Sequence, residues 1–103
     1  MKVKSYQTNP NMLVPYYLMY SYAYYQENES LISDHEYDDI CKQLIEKWDT
    51  IKHWHKPLLN LESLKAGTGY DIKYPKRVIY AALALIKKEK INKTEMDWYE
   101  RRL

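Results

Sequence analysis

The spacing of apolar residues predicts a first helix from Asn11 to about Gln26. Its main apolar stripe repeats every three or four residues, and a narrower set lies on the opposite side of the helix. The main stripe contains Leu13, Tyr16, Tyr17, Tyr20 and Tyr24, and the narrower set contains Leu18, Tyr22 and Tyr25. Pro15 falls in the first turn or so, where its missing backbone N–H is tolerated. The pattern therefore predicts a helix with apolar side chains on two sides.

A second helix follows a complete start signal. Ser33 is a suitable N-cap residue, and Glu36 three positions later completes a capping box. Ile32 and Tyr37 occupy the two positions of a hydrophobic staple around that cap. The apolar face that follows consists of Tyr37, Ile40, Cys41, Leu44, Ile45 and Trp48. We expect the first and second helices to pack as an antiparallel hairpin.

The C-terminal half has weaker signals. Lys56-Pro57 ends the second helix or its extension, and Gly67-Thr68-Gly69 predicts a turn. The leucines between them can form a short helical turn, and they are Leu58, Leu59, Leu61 and Leu64. Pro75 is a suitable first residue for a third helix that runs to about Lys90. Because residues 78–86 are apolar around most of this helix, we expect it to lie at the centre of the fold.

A cap-like sequence at residues 94–97, Thr-Glu-Met-Asp, predicts a short last helix. This helix would carry Trp98, Tyr99 and Leu103. The elements together predict an all-α fold, a single small helical domain over residues 1–103. It would consist of an antiparallel helical hairpin plus two C-terminal helices.

The aromatic composition is unusual, because the 12 tyrosines and 3 tryptophans are accompanied by no phenylalanine. Buried rings of these two types carry a hydroxyl or an indole N–H that needs a partner, so we expect a more polar interior than average. Charge is unevenly spread: residues 1–70 contain seven basic against nine acidic residues, and residues 71–103 contain nine against five. The basic C-terminal part either meets an anionic partner or forms solvated helix faces.

A single cysteine, Cys41, excludes an intrachain disulfide and gives no indication of secretion. The longest apolar run, from Val78 to Ile86, is far shorter than the roughly 20 residues that cross a bilayer. The N-terminus lacks the apolar core and cleavage site of a signal peptide. These features predict a soluble cytoplasmic protein without a membrane partner, in the host cytoplasm if the protein belongs to a phage.

Asp34 and Asp38 are one helical turn apart at the edge of the second helix's apolar face, so their side chains point the same way. In one interpretation they are solvated and complement the helix dipole. In the other, the carboxylates border an aromatic groove and accept hydrogen bonds from a ribose or an amide, while tyrosine rings stack on a flat base.

The sequence Tyr24-Tyr25, eight intervening residues and Asp34-His35-Glu36-Tyr37-Asp38 resembles the Ia domain of bacterial NAD-dependent DNA ligases. The resemblance covers residues 20–48, with a weaker echo at residues 57–61, Pro-Leu-Leu-Asn-Leu. It implies that a nicotinamide mononucleotide (NMN) or NAD is bound as ligand. By position, Tyr24, Asp34, Tyr37 and Asp38 match the family's binding residues, and Tyr25 stands where the family has histidine. Residues 70–103 have no ligase counterpart and are expected either to cover such a site or to complete it.

The catalytic part of a ligase is missing from this sequence. Ligases use a lysine nucleophile in a Lys-x-Asp-Gly motif, and Lys65-Ala66-Gly67 lacks the aspartate. No metal site is predicted, because His53 and His55 have no third ligand at a recognisable spacing. They are expected in a surface turn or as a half-buried pair. Cys41 is expected to be a buried apolar side chain, and residues 67–69 an ordinary turn.

The predicted function is a non-catalytic domain that binds a nicotinamide nucleotide or a related ribose-phosphate ligand, with Tyr24, Tyr25, Asp34, Tyr37 and Asp38 as ligand-binding residues. A phage or mobile-element protein of this kind would sequester a nucleotide or modulate a host ligase. One alternative is a protein- or nucleic-acid-interaction module that uses Lys87, Lys88 and Arg101 of the basic C-terminal helices. Another is one part of a split NAD-dependent ligase, with the lysine nucleophile on a separate chain.

Overall fold

The computed structural model describes the backbone of residues 5–66 and 72–102 and the side chains of residues 6–65 and 72–89. All regular elements in this part of the chain are helical, which confirms the all-α fold. The α-helices are α1 (Ser5–Thr8), α2 (Leu13–Gln26), α3 (Asp34–Glu46), α4 (Leu61–Ala66) and α5 (Lys76–Arg102). Short 3-10 helices at Pro10–Met12 and Lys56–Leu58 lead into α2 and towards α4.

The helix at the centre of the fold is α2, which packs against both α3 and α5. Its buried residues face more than one side, and they are Leu13, Val14, Tyr17, Leu18, Tyr20, Ser21 and Ala23. Residues of both predicted apolar sides are therefore buried, namely Leu13, Tyr17 and Tyr20 of the main stripe and Leu18 of the narrower set. Tyr22 contacts Tyr74 edge to face at 5.3 Å between ring centroids, which holds the segment before α5 against α2.

The prediction that the third helix lies at the centre is wrong. Val78, Ala82 and Ile86 of α5 are buried, whereas Tyr80 is 67% exposed and Leu83 is 38% exposed. The buried residues recur every fourth position and form one narrow stripe against the rest of the fold. Among the described residues, no element covers the opposite side of α5.

The prediction of two separate C-terminal helices is also wrong, because α5 continues from Lys76 to Arg102 without a break. No proline or glycine lies within this range, and Thr94 can occupy a helix interior at a small cost in helix propensity. The cap-like signal at Thr94 is therefore too weak to end the helix. Although α5 has 27 residues, neither it nor any other helix within the described ranges has the apolar stretch that crossing a membrane requires.

The connection between α2 and α3 has a well-defined start and end. The backbone amides of Glu27 and Glu29 both donate to the carbonyl of Ala23, and Asn28 adopts a positive φ of 53°. Asparagine tolerates this left-handed conformation better than most residues, so it ends α2 and turns the chain. At the other end, the Ser33 hydroxyl accepts from the amide of Glu36 at 3.1 Å, which confirms the predicted N-cap.

Candidate functional site

A pocket of about 290 Å³ lies between the end of α2, the connection that follows it and the first turns of α3. Its lining combines aromatic rings, carboxylates and two aliphatic side chains. The described lining residues are Tyr20, Tyr24, Tyr25, Ser30, Leu31, Ile32, Asp34, Tyr37 and Asp38. Such a mixture of flat apolar surface and a few polar groups is typical of small-molecule sites.

All five residues predicted from the sequence line this one pocket. Tyr24 and Tyr25 come from the last turn of α2, and Asp34, Tyr37 and Asp38 come from the first turns of α3. Four further lining residues were not predicted to belong to the site. Tyr20 lies one turn before Tyr24 on the same apolar stripe, so its spacing carried a usable signal. Ser30, Leu31 and Ile32 lie in the connection, where helical spacing gives no such signal.

Tyr37 is the fixed part of the pocket. Its ring stacks against that of Tyr17 with centroids 5.7 Å apart, and its hydroxyl forms a 2.7 Å hydrogen bond with the Ser21 hydroxyl. Burial raises the pKa of Tyr37 well above its usual value, because little water reaches this hydroxyl. One edge of the ring is therefore held by α2, and the remainder is available to the pocket.

The two carboxylates lie on the rim rather than on the floor. Asp34 and Asp38 are both exposed and both line the pocket, as expected for side chains one turn apart on α3. None of the described lining residues is a lysine or an arginine, so the pocket presents only negative formal charge. This electrostatic environment favours a cationic ligand or one rich in hydrogen-bond donors.

The two tyrosines of α2 form the opposite wall. The rings of Tyr24 and Tyr25 meet edge to face at 4.9 Å, and Tyr24 remains 51% exposed. An edge-to-face pair gives two ring surfaces at a steep angle, so a flat group that enters can stack on one and meet the edge of the other.

The first turn of α3 has a second anchor outside the pocket. The Tyr6 hydroxyl donates to the Glu36 carboxylate at 2.7 Å, which ties the short helix α1 to α3. Burial, together with this carboxylate, raises the pKa of Tyr6. The sequence predicted only a capping role for Glu36, and the contact with Tyr6 fixes the orientation of the helix turn that carries Asp34.

The described C-terminal segment packs against α2 outside the pocket. Tyr74 contacts Tyr22 on α2, and burial raises the pKa of Tyr74. Side chains of residues 72–89 contribute nothing to the described lining. The described part of the region without a ligase counterpart therefore neither covers the pocket nor completes its lining.

Cys41 lies on α3 one turn after Tyr37 and is buried in the core, as the sequence predicted. Burial, with a smaller contribution from Asp38, raises the pKa of the thiol to about 11. At pH 8 only about one thiol in a thousand is then ionised. We expect iodoacetamide to modify the native protein at least about a hundredfold more slowly than the urea-unfolded protein, measured by mass spectrometry. Equal rates would show that Cys41 is accessible and ionised in the folded state.

The remaining predicted features lie elsewhere. His53 is partly exposed and His55 is buried, in a turn that presents Trp54 to solvent. In the part of the chain that the structure describes, no three or more histidine, cysteine, aspartate or glutamate side chains gather as they would around a metal ion. The predicted turn at residues 67–69 lies outside the described residues. The segment at 57–61 spans the second 3-10 helix and the start of α4, with Leu59 buried.

No match was found. Comparisons with protein-family models, curated proteins and solved structures each returned nothing similar to this chain. The resemblance to the ligase Ia domain therefore stays a prediction that rests on the motif in residues 20–48. A functional proposal for this chain therefore depends on the shape and the chemistry of the pocket.

Proposed function

We propose that this chain is a non-catalytic binding domain for a nicotinamide nucleotide. The observation that carries the proposal is the convergence of Tyr24, Tyr25, Asp34, Tyr37 and Asp38 on one pocket of about 290 Å³. That volume is just below the roughly 300–1,000 Å³ of small-molecule sites. It suits the nicotinamide riboside part of a nucleotide and leaves the adenylate part of NAD outside.

The chemistry of the pocket suits the oxidised nicotinamide ring. This ring is flat and carries a positive charge, and tyrosine faces attract such cations by about 0.5–1 kcal/mol at exposed sites. The carboxylates of Asp34 and Asp38 add attraction for the same charge. They also accept hydrogen bonds from the carboxamide and from ribose hydroxyls, which are charge-assisted and therefore stronger than neutral ones.

The phosphate of the ligand is expected to contribute little. The described lining residues include no cation that would pair with it, and the rim carries two carboxylates. A bound nucleotide would therefore direct its phosphate towards water, away from Asp34 and Asp38. This orientation also leaves room for the rest of NAD.

A ligand series in isothermal titration calorimetry tests the proposal. We expect NMN and nicotinamide riboside to bind within about threefold of each other. Reduced NMN, whose ring is neutral, should bind at least about fivefold more weakly, because the ring charge is worth about 1 kcal/mol. Nicotinic acid mononucleotide should also bind more weakly, since its extra carboxylate faces Asp34 and Asp38.

Two results would contradict the proposal. Absence of binding by both NMN and nicotinamide riboside at millimolar concentration would exclude a nicotinamide site. Equal affinity for oxidised and reduced NMN would show that the charge of the pocket does not select the ligand.

A domain with this pocket and no lysine nucleophile would act by holding the nucleotide. It would then sequester NMN or NAD, or modulate an NAD-dependent ligase, which suits a phage or mobile-element protein acting in its host. A ligation assay with added protein separates these roles, because excess NAD relieves sequestration and leaves a direct effect on the ligase unchanged.

A further inference from the structure

A second surface, away from the pocket, is built around Trp54 in the turn between α3 and α4. Trp54 is 68% exposed, which is high for a large aromatic side chain. Its ring lies 3.9 Å from that of the buried His55, and the guanidinium of Arg77 on α5 lies 5.7 Å from the indole centroid. The indole is thus held by its neighbours while most of its surface faces solvent.

An open groove of about 490 Å³ lies next to the turn that carries Trp54. Its lining consists of Trp48, Ile51, Lys52, His53, Lys56, Pro57 and Leu59. His53 joins the two features, because it lines the groove and its ring stacks on that of Trp54 at 6.3 Å. Lys56 is also fixed in place: its Nζ donates to the Trp48 carbonyl and lies 4.6 Å from the Trp48 ring centroid.

The charge of this surface is opposite to that of the pocket. Lys52, Lys56 and Arg77 are basic, and none of the described groove-lining residues is acidic. Burial and the neighbouring His55 lower the pKa of His53, so the positive charge at pH 7 comes from the lysines and the arginine. We call the combination of Trp48, Lys52, His53, Trp54, Lys56 and Arg77 the Trp54 face.

We infer that the Trp54 face binds single-stranded nucleic acid, with a base stacked on Trp54 and phosphates paired with Lys52, Lys56 and Arg77. Binding of single strands needs an exposed aromatic ring for a base and adjacent cations for the backbone, and both are present here. An apolar protein partner would not need three cations beside one exposed indole. The inference is independent of the nicotinamide pocket and does not involve the lysines near the end of α5.

Fluorescence anisotropy with a labelled oligothymidylate of about twelve nucleotides tests this inference. Because loss of one base stack lowers affinity by about tenfold, we expect Trp54→Ala to bind the strand about tenfold more weakly. Trp54→Tyr, which keeps an aromatic ring, should recover the affinity. Arg77→Gln should reduce the slope of log affinity against log salt by about 1. Two matched controls should bind like the wild type: Tyr80→Ala removes an equally exposed ring, and Lys42→Gln removes an exposed lysine on α3.

Several outcomes would overturn the inference, provided that circular dichroism shows each variant to be folded. Equal loss of affinity in Trp54→Ala and Tyr80→Ala would exclude a specific stack. Equal binding of an abasic strand of the same length would exclude a role for bases, and equal binding of poly-glutamate would indicate an acidic polypeptide as partner. Absence of binding at about 1 mM strand would exclude a single-strand site at this face. The Asp34→Asn/Asp38→Asn variant should bind the strand as the wild type does, which separates this result from failure of the nicotinamide proposal.

Discussion

Replacement of Asp34 and Asp38 together by asparagine is expected to weaken NMN binding by about 30-fold. Asparagine keeps the size of the side chain and removes its charge. Hydrogen bonds to a charged group contribute about 1.5–3 kcal/mol, against about 0.5–1.5 kcal/mol for neutral ones, so each substitution should cost about 1 kcal/mol. Two such losses correspond to roughly a 30-fold change in affinity, which calorimetry with NMN measures directly.

Asp39→Asn is the matched control for this experiment. Asp39 lies on the same helix and is exposed, and its carboxylate accepts from the Gln43 side-chain amide at 2.7 Å, outside the described pocket lining. The substitution changes the net charge in the same direction and should alter NMN affinity by less than about twofold. A comparable loss in Asp39→Asn would indicate a long-range charge effect, and no loss in the double variant would show that the two carboxylates do not contact the ligand.

Replacement of Tyr17 by alanine is expected to lower the free energy of unfolding by about 3–5 kcal/mol. The side chain is only 1% exposed, and its ring stacks on that of Tyr37 at 5.7 Å. Since small domains are stable by about 5–15 kcal/mol, this is a large share of the total, and urea denaturation followed by circular dichroism measures it. The variant should also lose NMN binding, because Tyr37 would have no ring to pack against.

Tyr17→Phe separates the contribution of the ring from that of the hydroxyl. It keeps the stack with Tyr37 and removes the hydrogen bonds that the Tyr17 hydroxyl makes with Tyr37 and Ser21. We expect a cost of about 1–3 kcal/mol, since each of the two hydrogen bonds contributes about 0.5–1.5 kcal/mol, with NMN binding retained. If alanine were tolerated as well as phenylalanine, the stack on Tyr37 would not support the pocket.

The tyrosine-rich composition predicted a more polar interior, and particular contacts confirm it. Tyr6 donates to Glu36, and the Tyr37 hydroxyl pairs with Ser21, which is fully buried. Each buried hydroxyl brings a second helix into contact with α3. The hydroxyls that phenylalanine would lack therefore fix the position of the helix that carries the two aspartates.

The candidate pocket was predictable because its parts are close in the sequence. Ser33 determines where α3 begins, and once α3 begins there, the helical repeat alone aligns Asp34 with Asp38. Tyr24 and Tyr25 end the preceding helix, and a short connection brings them to the start of the next. These local signals align the two aspartates but leave open whether they are simply solvated. The choice of Tyr24, Tyr25 and the two aspartates as binding residues rested on the ligase resemblance.

The Trp54 face could not be predicted in the same way. Trp54 and Arg77 are 23 positions apart, and their proximity depends on how α5 packs against α2. The sequence indicated only that His53 and His55 lack a third metal ligand. The sequence also did not indicate that one side of α5 is exposed, because an apolar stretch does not show how many other helices will pack against it.

By itself, the sequence determined the all-α class, the start of α3 and the alignment of Asp34 with Asp38, because capping and helical periodicity act over a few residues. Only the tertiary structure decided that α2 is the central helix, that α5 is continuous and partly uncovered, and that Trp54 lies beside Arg77. These outcomes depend on which apolar surfaces meet when separate helices pack. The favoured arrangement is the one that buries most apolar surface with close packing over the whole chain, and no single segment contains that information.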